Sequence, residues 1–228
     1  MTTLLAIETS TELASVALLT KGELFIRELS GVQTHSQGVL PAIQELLSTA
    51  GLSLIDCQAI AFGCGPGAFT GVRTTCGIVQ GLAYGADLPI LPVLSLHAMA
   101  QAARAEQIDA DFVCVLDARM AEVYWAHYRL RNQSWEQVSE PALSAVDVAL
   151  AYAADHASVL VLGNGLTAPL ETTRMKIIFK MPHAAQVAQL ALVDYTNGKQ
   201  VAADMAQPVY LRNKIALTTI ERMQLKNP

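Results

Sequence analysis

The stretch GCGPGAFTG at residues 63–71 constrains the fold of this chain more than any other. Four glycines and a proline in nine residues rule out a regular helix or strand there. The flanks are regular: AIAFG, within 58–63, is continuous and apolar like a buried strand, and a helix is expected from about Val72 to Gly85. The stretch must therefore be a sharp strand-to-helix turn. Gly63-Cys64-Gly65-Pro66-Gly67-Ala68 also matches GxGxxA formally. A dinucleotide site would want an acid at the end of the next strand, whereas Asp87 precedes its strand, and no GK[ST] follows to make a Walker loop. The plain turn is the weightier reading. Gly65 and Gly67 remain candidates for an anion site, because such a turn aims free helix N–H groups outward.

The remaining elements follow from periodicity. Strands are expected at 3–8, 14–19 and 24–29, the last after a Lys21-Gly22 turn. A helix is expected from Ser36 to Ala50, with Val39, Leu40, Ile43, Leu46 and Leu47 on one face and Gly51 as its stop. A short strand at 89–93 and a helix at 95–105 close the first half. The pattern then partly restarts: FVCVLD at 112–117 is an apolar strand ending in an acid, and EVYWAHY at 122–128 is the next strand. Glu8 and Asp117 end equivalent strands 109 residues apart, so two related lobes of α/β character are expected, mixed sheets flanked by helices. A strand at 158–162, a helix at 183–197 and an extended segment at 208–211 complete the second half. The lobes are expected at 1–105 and 106–211, with 212–228 packing back on the first.

Two further features stand out, one that could carry chemistry and one that is structural. Glu8-Thr9-Ser10-Thr11 sets a carboxylate and three hydroxyls between two strands, and Asp117 occupies the matching place. Paired acids facing one cleft serve Mg²⁺ and water in sugar kinases and actin-type ATPases, but those proteins want Asp-x-Gly, which neither turn supplies. A polar hairpin turn satisfied by local hydrogen bonds is the competing reading of Glu8, Thr9 and Ser10. The second feature is a stripe of Gly77, Gly81 and Gly85, every fourth residue of the helix after the turn. Each glycine inside a helix costs about 1 kcal/mol relative to alanine, so the stripe needs compensation from a close backbone approach. That approach is to the domain's own sheet or to a helix of another chain.

Composition excludes several classes. The hydrophobic share is 52% and the charged share 15%, which is not the make-up of a disordered chain. The longest uncharged runs, among them 57–72 and 88–103, reach 16 residues each and are broken by Gly or Pro, too short to span a bilayer. The N-terminal MTTLLAIETS lacks the basic start of a secretory signal, so a cytoplasmic location is expected. Cys57, Cys64, Cys76 and Cys114 form no CxxC pair, and the five histidines form no HxH or HxxxH, so no metal site and no disulfide framework is expected. Residues 208–228 carry a net +3, which leaves −8 on the other 207 residues of a chain whose total is −5. An acidic body argues against strong independent binding of nucleic acid.

Five segments together resemble a known family: LLAIETSTELASVALL, THSQGVLPAIQELL, AFGCGPGAFTGVRTTCGIVQGLA, LDARMAEVYWA and PVYLRN are similar to the bacterial TsaB (YeaZ) family. The resemblance implies the two-lobed actin/Hsp70-like ATPase (ribonuclease H-like) fold. It implies work alongside a TsaD-type catalytic subunit and a TsaE-type ATPase, transferring threonylcarbamoyl to N6 of adenosine 37 of tRNAs that read codons beginning with A. The metal-binding HxxxH of TsaD relatives falls on Ser95 and Met99 here, so the resemblance implies a subunit without that metal, without a cofactor and non-catalytic by itself. It also implies a partner face built from the helices at 36–50 and 72–85, with Val39, Ile43, Leu46, Gly77, Gly81 and Gly85 in it. The same face is expected to form a homodimer when the partner is absent, and tRNA is expected to be touched only within the complex. The competing class is an independent enzyme, an ATPase of the actin-like fold or a glycoprotease-like peptidase.

Overall fold

A computed structural model describes residues 2–29, 35–106, 109–163, 165–167 and 175–212. Two mixed sheets are stacked with helices between and outside them. In the first sheet, β1 (Leu4–Glu8) pairs antiparallel with β2 (Ala14–Thr20), and β2 with β3 (Glu23–Leu29). On its other side β1 pairs parallel with β4 (Ala59–Gly63), and β4 with β5 (Ile90–Val93). The order is β3-β2-β1-β4-β5. Every residue of β1, β2 and β4 is buried, as expected of strands covered on both faces, while edge strand β3 alternates. The β2–β3 hairpin turns on Lys21 and Gly22, both left-handed, at φ 53° and 81°.

The second sheet repeats this plan. β6 (Asp111–Arg119) pairs antiparallel with β7 (Glu122–Arg131), and β7 with β8 (Ser134–Gln137). β6 also pairs parallel with β10 (Val159–Leu162), and β10 with β11 (Ile177–Phe179). The order β11-β10-β6-β7-β8 is the first sheet's order read from the other edge, with β9 (Ala142–Ala145) added beside β7. Two sheets of the same order, each entered through an antiparallel hairpin and extended by parallel strands, make the two-lobed actin-like fold. Strands β8, β9 and β11 and helix α4 (Val146–Asp155) were not foreseen from the sequence.

Helices α1 (His35–Ala50) and α2 (Phe69–Ala86) cover one face of the first sheet, in a core that includes Val39, Ile43, Leu46, Val79 and Ala83. The other face is covered by α5 (Ala184–Thr196), through Ala184, Val187, Ala188 and Ala191. This corrects the expected lobe 106–211, because α5 belongs to the first sheet. Residues 201–209 return there too: Val201 bridges Ile90, and Val209 N donates to Cys64 O. α3 (Ser95–Ala103) packs on the second sheet and α4 on that sheet's far face. The layers thus run α1/α2, sheet, α5/α3, sheet, α4. No helix among the described residues is long and apolar enough to cross a membrane. All four cysteines are buried free thiols; burial pushes Cys57 and Cys76 up to about 11 and Cys64 to about 12, so they act as small hydrophobes.

Between the layers, His97 of α3 stacks on Tyr128 of β7 with ring centroids 4.7 Å apart, and Trp135 meets its edge. Among the described residues, neither His97 Nε2 nor the Tyr128 hydroxyl has a hydrogen-bond partner. Burial pushes the His97 imidazole down from 6.5 to about 4. The folded protein therefore keeps it neutral while the unfolded chain takes up a proton, and stability present above pH 6.5 is lost as pH falls towards 4. The loss amounts to about 1–3 kcal/mol. His97→Phe, which keeps the stack without the charge, is expected to melt higher than the parent at pH 5, with the gap narrowing towards pH 8. A constant gap would remove His97 from the acid sensitivity.

Candidate functional site

The turn between β1 and β2 is pressed directly against the glycine-rich turn. Glu8, Thr9 and Ser10 are all buried. Thr9 donates from its hydroxyl to Gly71 O at 2.8 Å and shares a short hydrogen bond with the Thr75 hydroxyl. Ser10 O accepts from Ala68 N at 2.6 Å. A Cβ placed on Gly63 would fall under 3.0 Å from the Glu8 carboxyl, one on Gly67 under 3.0 Å from Ser10 O, and one on Gly71 under 3.0 Å from Thr9 O. Close packing between two turns thus explains these three glycines. Gly65 sits at φ 96°, a left-handed value that favours glycine, and its carbonyl accepts from Ser95 N at 2.8 Å.

Glu8 is completely buried and does not reach the cleft between the lobes. Its Oε1 accepts from Ser10 N at 2.6 Å and its Oε2 from the Ser95 hydroxyl at 2.9 Å. Burial pushes its carboxyl above the ordinary value of 4.5, more than these hydrogen bonds lower it. Asp117 instead lies on the cleft, paired with Arg119 at 3.1 Å. Of the two readings, paired acids facing one cleft do not hold: one carboxyl lies in the core, bonded locally to Ser10 N, and the other on the surface. Glu8's raised value means that its favourable contribution is full below pH 4.5 and is lost as pH rises through its folded value. Glutamine can accept from Ser10 N through its amide oxygen and donate its NH2 to the Ser95 hydroxyl oxygen, in place of the bond that Ser95 donates to Glu8, without the charge. Glu8→Gln is expected to raise the melting temperature at pH 8 and to leave it unchanged at pH 4; a lower melting temperature at pH 8 would show that a charged Glu8 supports the fold.

The cleft itself encloses about 880 Å³. Ser10, Gly67, Phe69 and Thr70 line it from the first lobe, and Leu116, Asp117, Tyr124 and Arg212 from the other side. Ser95 and Met99 are buried, Ser95 bonded to Glu8 and Met99 in the core under the second sheet. Among the described residues, no group of three His, Cys, Asp or Glu side chains could hold a metal ion.

The second candidate surface is the outer face of α2. Gly77, Gly81 and Gly85 are exposed, and a Cβ on any of them would meet nothing within 4 Å. Of the two approaches expected for the stripe, contact with the domain's own sheet is excluded. Val39, Ile43 and Leu46, expected on the same partner face, are buried in the chain's own core. The amphipathic face of α1 points at its own sheet, so these three residues are not available to a partner. Tyr84, 85% exposed beside the stripe, was missed by sequence reasoning. Its spacing of three from Gly81 was the available signal, since residues three apart share a helix face.

Comparison with known proteins then decides the family. Over 93% of this chain and 94% of the relative, the sequence is 39% identical to the tRNA threonylcarbamoyladenosine biosynthesis protein TsaB of Haemophilus influenzae. The chain belongs to the TsaB family. The Escherichia coli K12 TsaB is 38% identical over 93% of this chain and 96% of its own length. The family model for TsaD, tRNA N6-adenosine threonylcarbamoyltransferase, matches residues 28–222. Among solved structures, YeaZ from Pseudomonas aeruginosa superposes with a TM-score of 0.78 at 37% identity, covering 92% of this chain and all of that one. Membership of the TsaB family places the chain in threonylcarbamoyladenosine biosynthesis on tRNA.

Proposed function

We propose that the chain is a non-catalytic subunit that binds and organises a TsaD-type catalytic subunit. The complex, with a TsaE-type ATPase, transfers threonylcarbamoyl to N6 of adenosine 37 of tRNAs reading codons that begin with A. The observation that carries this reading is the outer face of α2, where three exposed glycines leave open space in front of a helix backbone. Helices approach closely only where side chains are small, and the cost of three glycines in an exposed helix calls for something to fill that space. A facing helix of the partner fills it, with Tyr84 as the aromatic beside the contact. Without the partner, a second copy of the chain takes the same face. The chemistry belongs to the partner: here the two positions that match its metal ligands are Ser95 and Met99, and both side chains are committed to internal packing.

The acidic body, −8 over residues 1–207, supports tRNA contact only within the assembled complex. The test is a reconstituted modification of tRNA with the TsaD-type and TsaE-type proteins and the threonylcarbamoyl adenylate donor. Omitting this chain is expected to abolish product and adding it back to restore it. Full modification without the chain would overturn the reading.

A further inference from the structure

We propose that residues 209–212 form a strap that fastens the two lobes and sets the opening of the cleft. The segment is tied at one end to the first lobe: Val209 N donates to Cys64 O at 2.8 Å, and the Arg73 side chain donates from Nε to the Tyr210 hydroxyl at 2.6 Å. The Arg73 guanidinium also lies 3.6 Å over the Phe69 ring, whose centroid is 5.8 Å from that of Tyr210. Two residues later the chain is tied to the other lobe. Arg212 pairs with Glu122 at 2.6 Å and donates to Ala118 O at 3.1 Å and Arg119 O at 3.3 Å.

The second anchor is a strained turn. Arg119 at the end of β6 and Met120 and Ala121 before β7 are all left-handed, at φ 66°, 58° and 59°, with no glycine among them. Three consecutive left-handed non-glycine residues persist only where the surroundings hold them. Arg212 does so through one nitrogen, Nη2, which faces the Ala118 and Arg119 carbonyls and the Glu122 carboxylate, while Nη1 lies against Met120 Sδ. The same turn supplies Ala118, Arg119 and Met120 to the cleft lining, and Arg212 itself lies there. Releasing Arg212 therefore frees both the turn and the hold of one lobe on the other.

The test is a pulsed electron–electron distance measurement on the full chain, with nitroxides on Glu12→Cys, on the first-lobe side of the cleft, and Thr167→Cys, close to Gly165 on the other. The native cysteines are buried and leave the labels specific. The parent is expected to give one narrow distance. Arg212→Ala and Tyr210→Ala are each expected to give a longer and broader distribution. Parental distributions in the folded variants would overturn the proposal. If Arg212→Ala fails to fold, Tyr210→Ala carries the test: Tyr210 is exposed, and its loss leaves the core intact.

Discussion

Gly71→Ala is expected to destabilise the protein by about 3 kcal/mol, the upper end of the usual cost of overpacking, because the backbone it meets cannot move. The new methyl would meet the carbonyl oxygen of Thr9 and not a yielding side chain. Thr9 cannot retreat, because its hydroxyl is bonded to Gly71 O and Thr75. Nor can its neighbour, since Ser10 O is held by Ala68 N. For a chain of this size each kcal/mol lowers the melting temperature by about 2–4 °C, so a drop of about 10 °C or loss of soluble protein is expected. Gly77→Ala on the same helix serves as the control. It meets nothing, gains helix propensity and should melt at or slightly above the parent temperature. A Gly71→Ala variant that melts like the parent would refute the turn-against-turn account of the glycine-rich stretch.

Much of this fold could be read from the residues because the signals were local. β1, β2 and β4 are apolar runs buried on both faces, and each is bounded by a turn or a glycine. The restart at 112–117 foretold a second lobe because β6 and β7 repeat the hairpin of β1 and β2. What escaped was short or non-local. β8 is a four-residue strand at a sheet edge, and β11 has three residues. The place of α5 on the first sheet depends on a packing choice made far along the chain, which periodicity within a helix does not encode.

The same limit misdirected the partner face. An apolar stripe at helical spacing, such as Val39, Ile43 and Leu46, marks the side of a helix that meets its own core. The outward side of α2 carried a different mark, glycine at every fourth position, and spacing alone left its facing partner open. Glu8 shows the limit at a single residue: its place at a strand end resembled a catalytic acid, but burial among Ser10, Gly63 and Ser95 is a tertiary fact.

Gly81→Leu is expected to leave the fold intact and to abolish assembly. The side chain would project from the middle of the stripe into open space, so the isolated chain has nothing to clash with. A helix seated on that face would be pushed away by the size of a side chain, a loss expected to weaken association at least 100-fold, about 2.7 kcal/mol. Gly81→Ala, with one small methyl, should melt at or above the parent temperature and retain more of the contact. The deciding measurement is the affinity of this chain for the TsaD-type subunit, taken on parent, Gly81→Ala and Gly81→Leu proteins whose melting temperatures match. The account predicts that Gly81→Leu loses the complex, and with it tRNA modification in the reconstituted system. Parental affinity in a normally folded Gly81→Leu protein would contradict it.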